Sequence, residues 1–452
     1  MIFTLQARPV AGLLAGMLAL SCWVSSASAS SVSAPLSGLW DATIHVGSID
    51  VPFEFGITVK GDAASGWFFN GEQKVVSSGG TYLEGHLLLQ FDSYAKKLEA
   101  DLGSDGSLDG IYVTTTAGST APPVAFHARH ASSVLASAGA AVPSISGLWL
   151  VPAQSSKANE AAWRLIVRQT GPKVSAAILR VDGDTGSLTG RWQDGKLMLS
   201  HFDGARPALI EVMPADAGTL KLILHNSNGT DVTLTGYRQA DAAAKGLPAA
   251  ADPANHTSVK DASQPLAFSF PDLNGHMVSN TDSQFQGKVL LIDISGSWCP
   301  NCHDEAPFLQ QMYRKYHRRV LEIITLNFED SPEQFANPVR LRAFVKDFGL
   351  DYIVLQAGTT ARLHEILPQA VNLDAYPTTF FVGRNGLVRG AHAGFAAPAT
   401  GDFNSELKKT FTAEVEVLLA EKKPSPKSAA LIAAPAPAIA AVPERDLPAA
   451  HP

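Results

Sequence analysis

The sequence predicts a multidomain chain: two consecutive all-β repeats, most simply antiparallel barrels, followed by one α/β domain. Three observations carry this expectation. Segments about 110 residues apart repeat one another in the first half of the chain. Short strand-like runs separated by tight-turn residues fill both copies, with no convincing helical stretch. From Gln264 the pattern changes to strands alternating with helices. A length of 452 residues exceeds one ordinary core and agrees with two or three domains.

In the repeats, Pro35-Leu-Ser-Gly-Leu-Trp40 recurs as Pro143-Ser-Ile-Ser-Gly-Leu-Trp149, and Gly85–Asp92 recurs as Gly195–Asp203. The copies are therefore domain-sized rather than solenoid units, and we place them at 30–131 and 140–239. Val51-Pro-Phe-Glu-Phe-Gly-Ile-Thr-Val59 alternates after its proline, and Thr219–Leu224 alternates in part. Asp105-Gly106, Asp109-Gly110, Gly183-Asp184 and Asp194-Gly195 read as tight turns. About eight strands per copy are expected, and eight consecutive antiparallel strands most simply close into an up-and-down barrel, which removes exposed edges. A two-sheet sandwich is the alternative. The Gly-x-Trp of Gly38–Trp40 and Gly147–Trp149 resembles the opening strand of lipocalin- and avidin-like (calycin-like) barrels. A Trp plugging the end of each core is favoured there over a ligand contact.

Composition shifts to Ala, Asp, Pro and Ser over 240–263, which reads as a linker. Residues 423–452 are Pro- and Ala-rich and cannot build a core, so a disordered tail is expected. Between them, at 264–422, Val289–Ile294 and Val320–Leu326 suit buried strands at a sheet centre. A helix from Pro300 to about His317 joins them as a βαβ unit. A second helix, around Pro338 to Phe348, precedes a short strand at Tyr352–Leu355. Thr378–Val382 and Leu387–His392 flank Gly383-Arg-Asn-Gly386, a hairpin signal.

The N-terminus has the layout of an export leader over 1–29: Arg8, a mostly apolar run from Val10 to Val24, and a small-x-small site at Ala27-Ser28-Ala29. The run is short for a membrane span. An uncleaved anchor and a lipoprotein using Cys22, with Ala19 where Leu is usual, are the alternatives. A periplasmic or otherwise exported location is expected, with membrane anchoring possible. The net charge of −7 is spread along the chain and argues against a nucleic-acid partner, and 46% apolar residues fit a globular protein.

Cleavage after Ala29 leaves two of the three cysteines, Cys299 and Cys302. A bridge between them closes a loop too short to stabilise a large fold, so the pair reads as chemistry. Trp298-Cys299-Pro300-Asn301-Cys302 follows a strand and opens a helix. Unpaired N–H groups and the dipole at a helix N-terminus favour a negative sulfur. Cys299 is then the nucleophile and Cys302 the resolving thiol. Half of a zinc site lacks its other half, because no second C-x-x-C exists. A copper site with His303 and a peroxidase are the further rivals, the latter without a Thr three residues before Cys299. No cofactor and no metal are expected.

The stretch Gln264–Glu421 resembles the thioredoxin superfamily (redoxin, AhpC/TSA-like domains), and within it the TlpA/ResA-like exported thiol–disulfide oxidoreductases. The family's W-C-x-x-C-x-x-E-x-P signature stands here as Trp298, Cys299, Cys302, Glu305 and Pro307. Phe270–Gly275 with Gly287-Lys288 resembles the lead-in hairpin, and Tyr376-Pro377-Thr378-Thr379 the cis-proline loop. The resemblance covers about a third of the chain. It implies that Glu305 tunes the thiols or relays a proton, against a solvated helix-face acid. It implies that Asp293 takes the resolving cysteine's proton, against a hydrated strand-end acid. A carboxylate in a central strand is costly unless it has partners, which supports the functional choice. Pro377 is expected cis, with Tyr376 and Pro377 beside the sulfurs to pair with a substrate strand, and Trp298 covering the disulfide.

The expected function is reduction of disulfides in exported client proteins, as in cytochrome c maturation and cell redox homeostasis, with recharging by a membrane-bound thiol electron donor. Pro300-Asn301 leaves the direction of electron flow open, so an oxidase or isomerase with the same site is the first rival. The second is a client-binding adaptor whose β domains carry the main role.

Overall fold

The computed structural model describes residues 36–116, 119–131, 142–193 and 195–422. The leader expected at 1–29 and the tail expected at 423–452 lie outside the described residues.

Each repeat closes into an eight-stranded antiparallel barrel. In the first, Gly38–Val46 pairs with its successor Ile49–Lys60 and also with the last strand, Val124–His130. Ala63–Asn70, Gly79–Leu83, His86–Phe91, Lys96–Leu102 and Leu108–Thr114 complete the ring in chain order. In the second, Gly147–Pro152 likewise pairs with Ala162–Thr170 and with Val232–Arg238. Burial alternates along the strands: Trp40, Ala42 and Ile44 point inward while Asp41 and His45 face outward. The repeated Trp plugs each core. Trp40 Nε1 donates to Leu36 O at 3.0 Å and Trp149 Nε1 to Ile145 O at 2.8 Å, the same bond four residues back in both copies.

Two details depart from the expectation. Each barrel carries one additional short strand, Gln73–Val76 and Gly183–Asp184, hairpinned onto its third strand. Gly183-Asp184 is thus the return arm of a turn made by Val181 and Asp182. Asp109-Gly110 is no turn either: it lies inside Leu108–Thr114, where a Cβ on Gly110 would come within 2.0 Å of Glu99 O. Glycine is needed there for close strand approach, not for reversal.

The barrels are joined by side chains. Phe202 of the second barrel enters the core of the first, with ring centroids 4.9 Å from Phe53 and 5.1 Å from Phe68. Beside it, Tyr112 Oη donates to Gly204 O at 2.9 Å.

The segment at 240–263 holds a six-residue helix, Gln239–Ala244, begun one residue earlier, and a short strand, Ser258–Val259, paired with Ala370–Val371. His256 within it is buried, with Nε2 2.6 Å from Asp374 Oδ1.

The C-terminal domain is built on five strands: β1 (Val289–Ser295), β2 (Leu321–Glu329), β3 (Ile353–Thr359), β4 (Thr378–Val382) and β5 (Val388–Ala393). Their order is β3-β2-β1-β4-β5, with β1, β2 and β3 parallel and β4 and β5 antiparallel. β1 and β2 are buried along their whole length, as suits strands at the sheet centre, and they carry Asp293, Glu322, Thr325, Asn327 and Glu329 among their apolar residues. Helices α1 (Pro300–Tyr316), α2 (Val339–Phe348) and α3 (Asp402–Ala420) cover the sheet. Leu179, from the second barrel, is buried in the same core as α1 and α3 residues. Among the described residues, no helix is long and apolar enough to cross a membrane.

Candidate redox site

β1 ends at Ser295 and the chain turns into α1, whose N-cap is Cys299 and whose first residue is Pro300. Proline suits that position because its missing N–H has no helical partner there. Cys299 Sγ accepts the backbone N–H of Cys302 at 3.3 Å, and its S–H points to Tyr376 O at 3.4 Å. Both cysteines are free thiols and nearly covered, Cys299 at 4% and Cys302 at 2% exposure. The Tyr376–Pro377 peptide is cis. Trp298 is half-buried over this loop, its Nε1 donating to Phe328 O at 2.9 Å and its ring edge-on to Tyr376 at 5.3 Å. The structure thus gathers Trp298, Cys299, Cys302, Tyr376 and Pro377 at one end of the sheet.

The two acids lie behind the thiols. Asp293 is in the middle of β1, opposite Thr325 of β2 on one side and Thr379 of β4 on the other. Thr325 Oγ1 donates to Asp293 Oδ2 at 2.9 Å. Burial pushes the Asp293 carboxyl up to about 7, against the smaller opposing effect of the Thr325 bond. Glu305, one turn along α1, is 1% exposed and accepts from Thr379 Oγ1 at 3.0 Å. Burial first, then Asp293, raises its carboxyl well above the ordinary range. Neither acid is exposed to solvent. Burial also raises the Cys302 thiol, and Cys299 and Asp293 add to that.

Several contributors were not singled out as site residues by the sequence, although Thr379 lies in the cis-proline motif. Thr325, Thr379 and the buried Tyr352, whose phenol feels Asp293 and Glu305, surround the acid pair. The alternation of β2 and β4 could have placed the threonines inward, but only the register puts them beside Asp293. On the other side of α1, His303 is buried with Nε2 2.8 Å from Ser297 O, and its ring stacks on Tyr94 of the first barrel at 4.4 Å. Burial lowers its imidazole to about 4, so it is neutral at pH 7. His303 is therefore committed to packing. Among the described residues, no group of three or more His, Cys, Asp or Glu side chains is placed to hold a metal ion.

A helix-capping thiol, a second thiol one turn deeper, a cis-proline loop across from both and a mixed five-stranded sheet make one arrangement. Residues 262–391 match the AhpC/TSA family. The C-terminal domain has a thioredoxin-like fold. Over it the chain is 28% identical to the thiol-disulfide oxidoreductase ResA of Geobacillus kaustophilus across 133 residues, 29% of this chain and 69% of that protein. ResA of Bacillus thuringiensis is 27% identical across 123 residues, 27% of this chain. That match spans 62% of the relative's length, slightly under two thirds. Among solved structures, a thiol:disulfide interchange protein of the thioredoxin family from Chlorobium tepidum aligns at 20% identity. The alignment covers 35% of this chain and 97% of that one, with a TM-score of 0.27. The family match falls on the thioredoxin-like domain, and each of the other likenesses covers about a third of the chain or less.

Proposed function

We propose that the protein is an exported thiol–disulfide oxidoreductase that reduces disulfides in client proteins, including those awaiting cytochrome c maturation. A membrane-bound thiol donor recharges it. The observation that carries this reading is the pairing of a helix-capping Cys299 with a buried Cys302 backed by Asp293. The Cys299 thiolate attacks a client disulfide, forming a Cys299–client bond and releasing one client thiolate. Asp293 takes the proton of Cys302, whose thiolate attacks the Cys299 sulfur and releases the second client thiolate. Two electrons pass to the client, its two thiolates take up one proton returned by Asp293 and one from the solvent that received the Cys299 proton, and the Cys299–Cys302 disulfide remains. The cis-proline loop presents backbone groups beside the sulfurs for an extended client segment. The ResA relatives, named as thiol-disulfide oxidoreductases, support the chemistry.

The test is stoichiometric. Pre-reduced full-length protein mixed with a disulfide-bonded exported protein is expected to yield two client thiols per Cys299–Cys302 disulfide, counted by mass spectrometry after alkylation. Client thiols appearing without that disulfide would contradict the scheme. Disulfides appearing in a reduced client would reverse its direction.

A further inference from the structure

Asn301, one of the two residues between the cysteines, and Asp304, three residues on, are held by the barrels. Asn301 Oδ1 accepts from Arg206 Nη1 at 2.8 Å, and its Nδ2 donates to Asp182 O at 3.1 Å. Both ends of that amide are therefore bound by the second barrel. The fit is flush: a Cβ on Gly183, at φ +121°, would stand 2.3 Å from Asn301 Nδ2. Asp304, in the second turn of α1, pairs with the same guanidinium at 3.0 Å and accepts from Asn70 Nδ2 of the first barrel at 3.2 Å. Asn70 Oδ1 in turn accepts from Ser187 N at 2.9 Å, so it bridges both barrels to the helix.

Arg206 is itself clamped. Its Nε and Nη2 reach Asp203 Oδ2 at 2.8 and 2.6 Å, and Asp203 also accepts the backbone N–H groups of Ala205 and Arg206. The side chains are almost dry, at 14% exposure for Arg206, 8% for Asp304 and 1% for Asp203. Burying such charges is expensive, and apolar side chains would join the domains at least as well. In return, charges in a low-dielectric interior act strongly on neighbouring groups.

We propose that Arg206 of the second barrel is a positioning residue of the redox centre: by clasping Asn301 and Asp304 it sets the dithiol–disulfide equilibrium of Cys299 and Cys302. This rests on the oxidoreductase reading above. Two effects combine. The clasp fixes the side chain of the residue enclosed in the ring that the Cys299–Cys302 bond closes. The guanidinium also offsets the Asp203 and Asp304 carboxylates beside the helix end capped by Cys299, so that they do not oppose a thiolate there. A stabilised reduced form makes a thiol pair more oxidising, so the barrel moves the poise upward. In the balanced step, two electrons and two protons pass from the pair to a client disulfide, or to glutathione disulfide in the titration, as the Cys299–Cys302 bond forms and the acceptor's S–S bond breaks, and the clasp changes the equilibrium constant of that step.

The test is a glutathione titration of the full chain, with the oxidised fraction read by alkylation and mass spectrometry. Arg206→Met is expected to shift the equilibrium toward the disulfide by about tenfold, ~30 mV to the negative side, and to slow alkylation of Cys299. Arg206→Lys, which keeps the charge and loses the fork, is expected to shift it less. On an Asn301→Ala background the Arg206→Met shift is expected to shrink, as residues in one network couple. A purely structural Arg206 would lower thermal stability and leave the equilibrium unmoved. That result in folded Arg206→Met, or in Arg206→Lys and Asn301→Ala where the Met variant does not fold, would overturn the proposal. If the unsubstituted protein shows no reversible two-electron transition, the oxidoreductase reading itself fails.

Discussion

Replacing Cys299 by serine is expected to remove disulfide reduction almost entirely, by about 10³-fold or more. Replacing Cys302 is expected to trap the client instead. The asymmetry follows from placement. The Cys299 sulfur caps α1 and already accepts an N–H from the helix, so a negative sulfur there is stabilised without rearrangement. Cys302 sits one turn deeper, where burial and its neighbours raise its thiol, so it waits as a neutral thiol until the mixed disulfide forms. Cys302→Ser leaves the first attack intact and deletes the second. Mixed disulfides linked to Cys299 should accumulate and dissolve on adding reductant. Trapping by Cys299→Ser through Cys302 would exchange the two roles.

Asp293→Asn is expected to make the protein more stable and slower at once. The Asp293 carboxyl, at about 7 in the fold, lies above the ordinary value of about 4, so the folded state holds this proton more tightly than the unfolded chain does. The associated stability is complete below the unfolded value and is lost as pH rises through about 7. Asparagine removes that slope. The variant should match the parent near pH 4 and exceed it by about 2–4 kcal/mol at pH 8, an order-of-magnitude figure. Denaturant titrations across that pH range check it. The same substitution removes the acceptor for the Cys302 proton and should slow resolution of the mixed disulfide by about 10²-fold. A gain in stability with a loss of rate marks an acid kept for chemistry. A variant that loses stability at pH 8 and resolves at the normal rate would make Asp293 a structural group.

What was legible in the sequence was local. Trp298 through Cys302 announces a strand-to-helix turn, and the apolar runs of β1 and β2 announce a buried parallel pair. Both depend on residues adjacent in the chain. The repeated Gly-x-Trp pointed to two like domains, and the matching Trp–carbonyl bonds are its structural counterpart. Asp109-Gly110 misled because Asp-Gly has two uses, chain reversal and close strand approach, which composition does not separate. Asp203, Arg206 and Asn70 were illegible for another reason. They lie roughly 95 to 235 residues from Asn301 and Asp304 and belong to no motif, so only the docking of three domains converts them into one charge cluster. The burial of Glu305 and Asp293 was illegible in the same way, since both acids are covered by elements far away in the chain.

The central claim is that Cys299 and Cys302 form a reversible, reducing thiol pair. Equilibrating the full-length protein with glutathione mixtures, while following Trp298 fluorescence, tests it most directly. The expected curve is one two-electron transition with a midpoint between about −270 and −150 mV. A midpoint above about −150 mV, or a curve with no transition, would contradict the account.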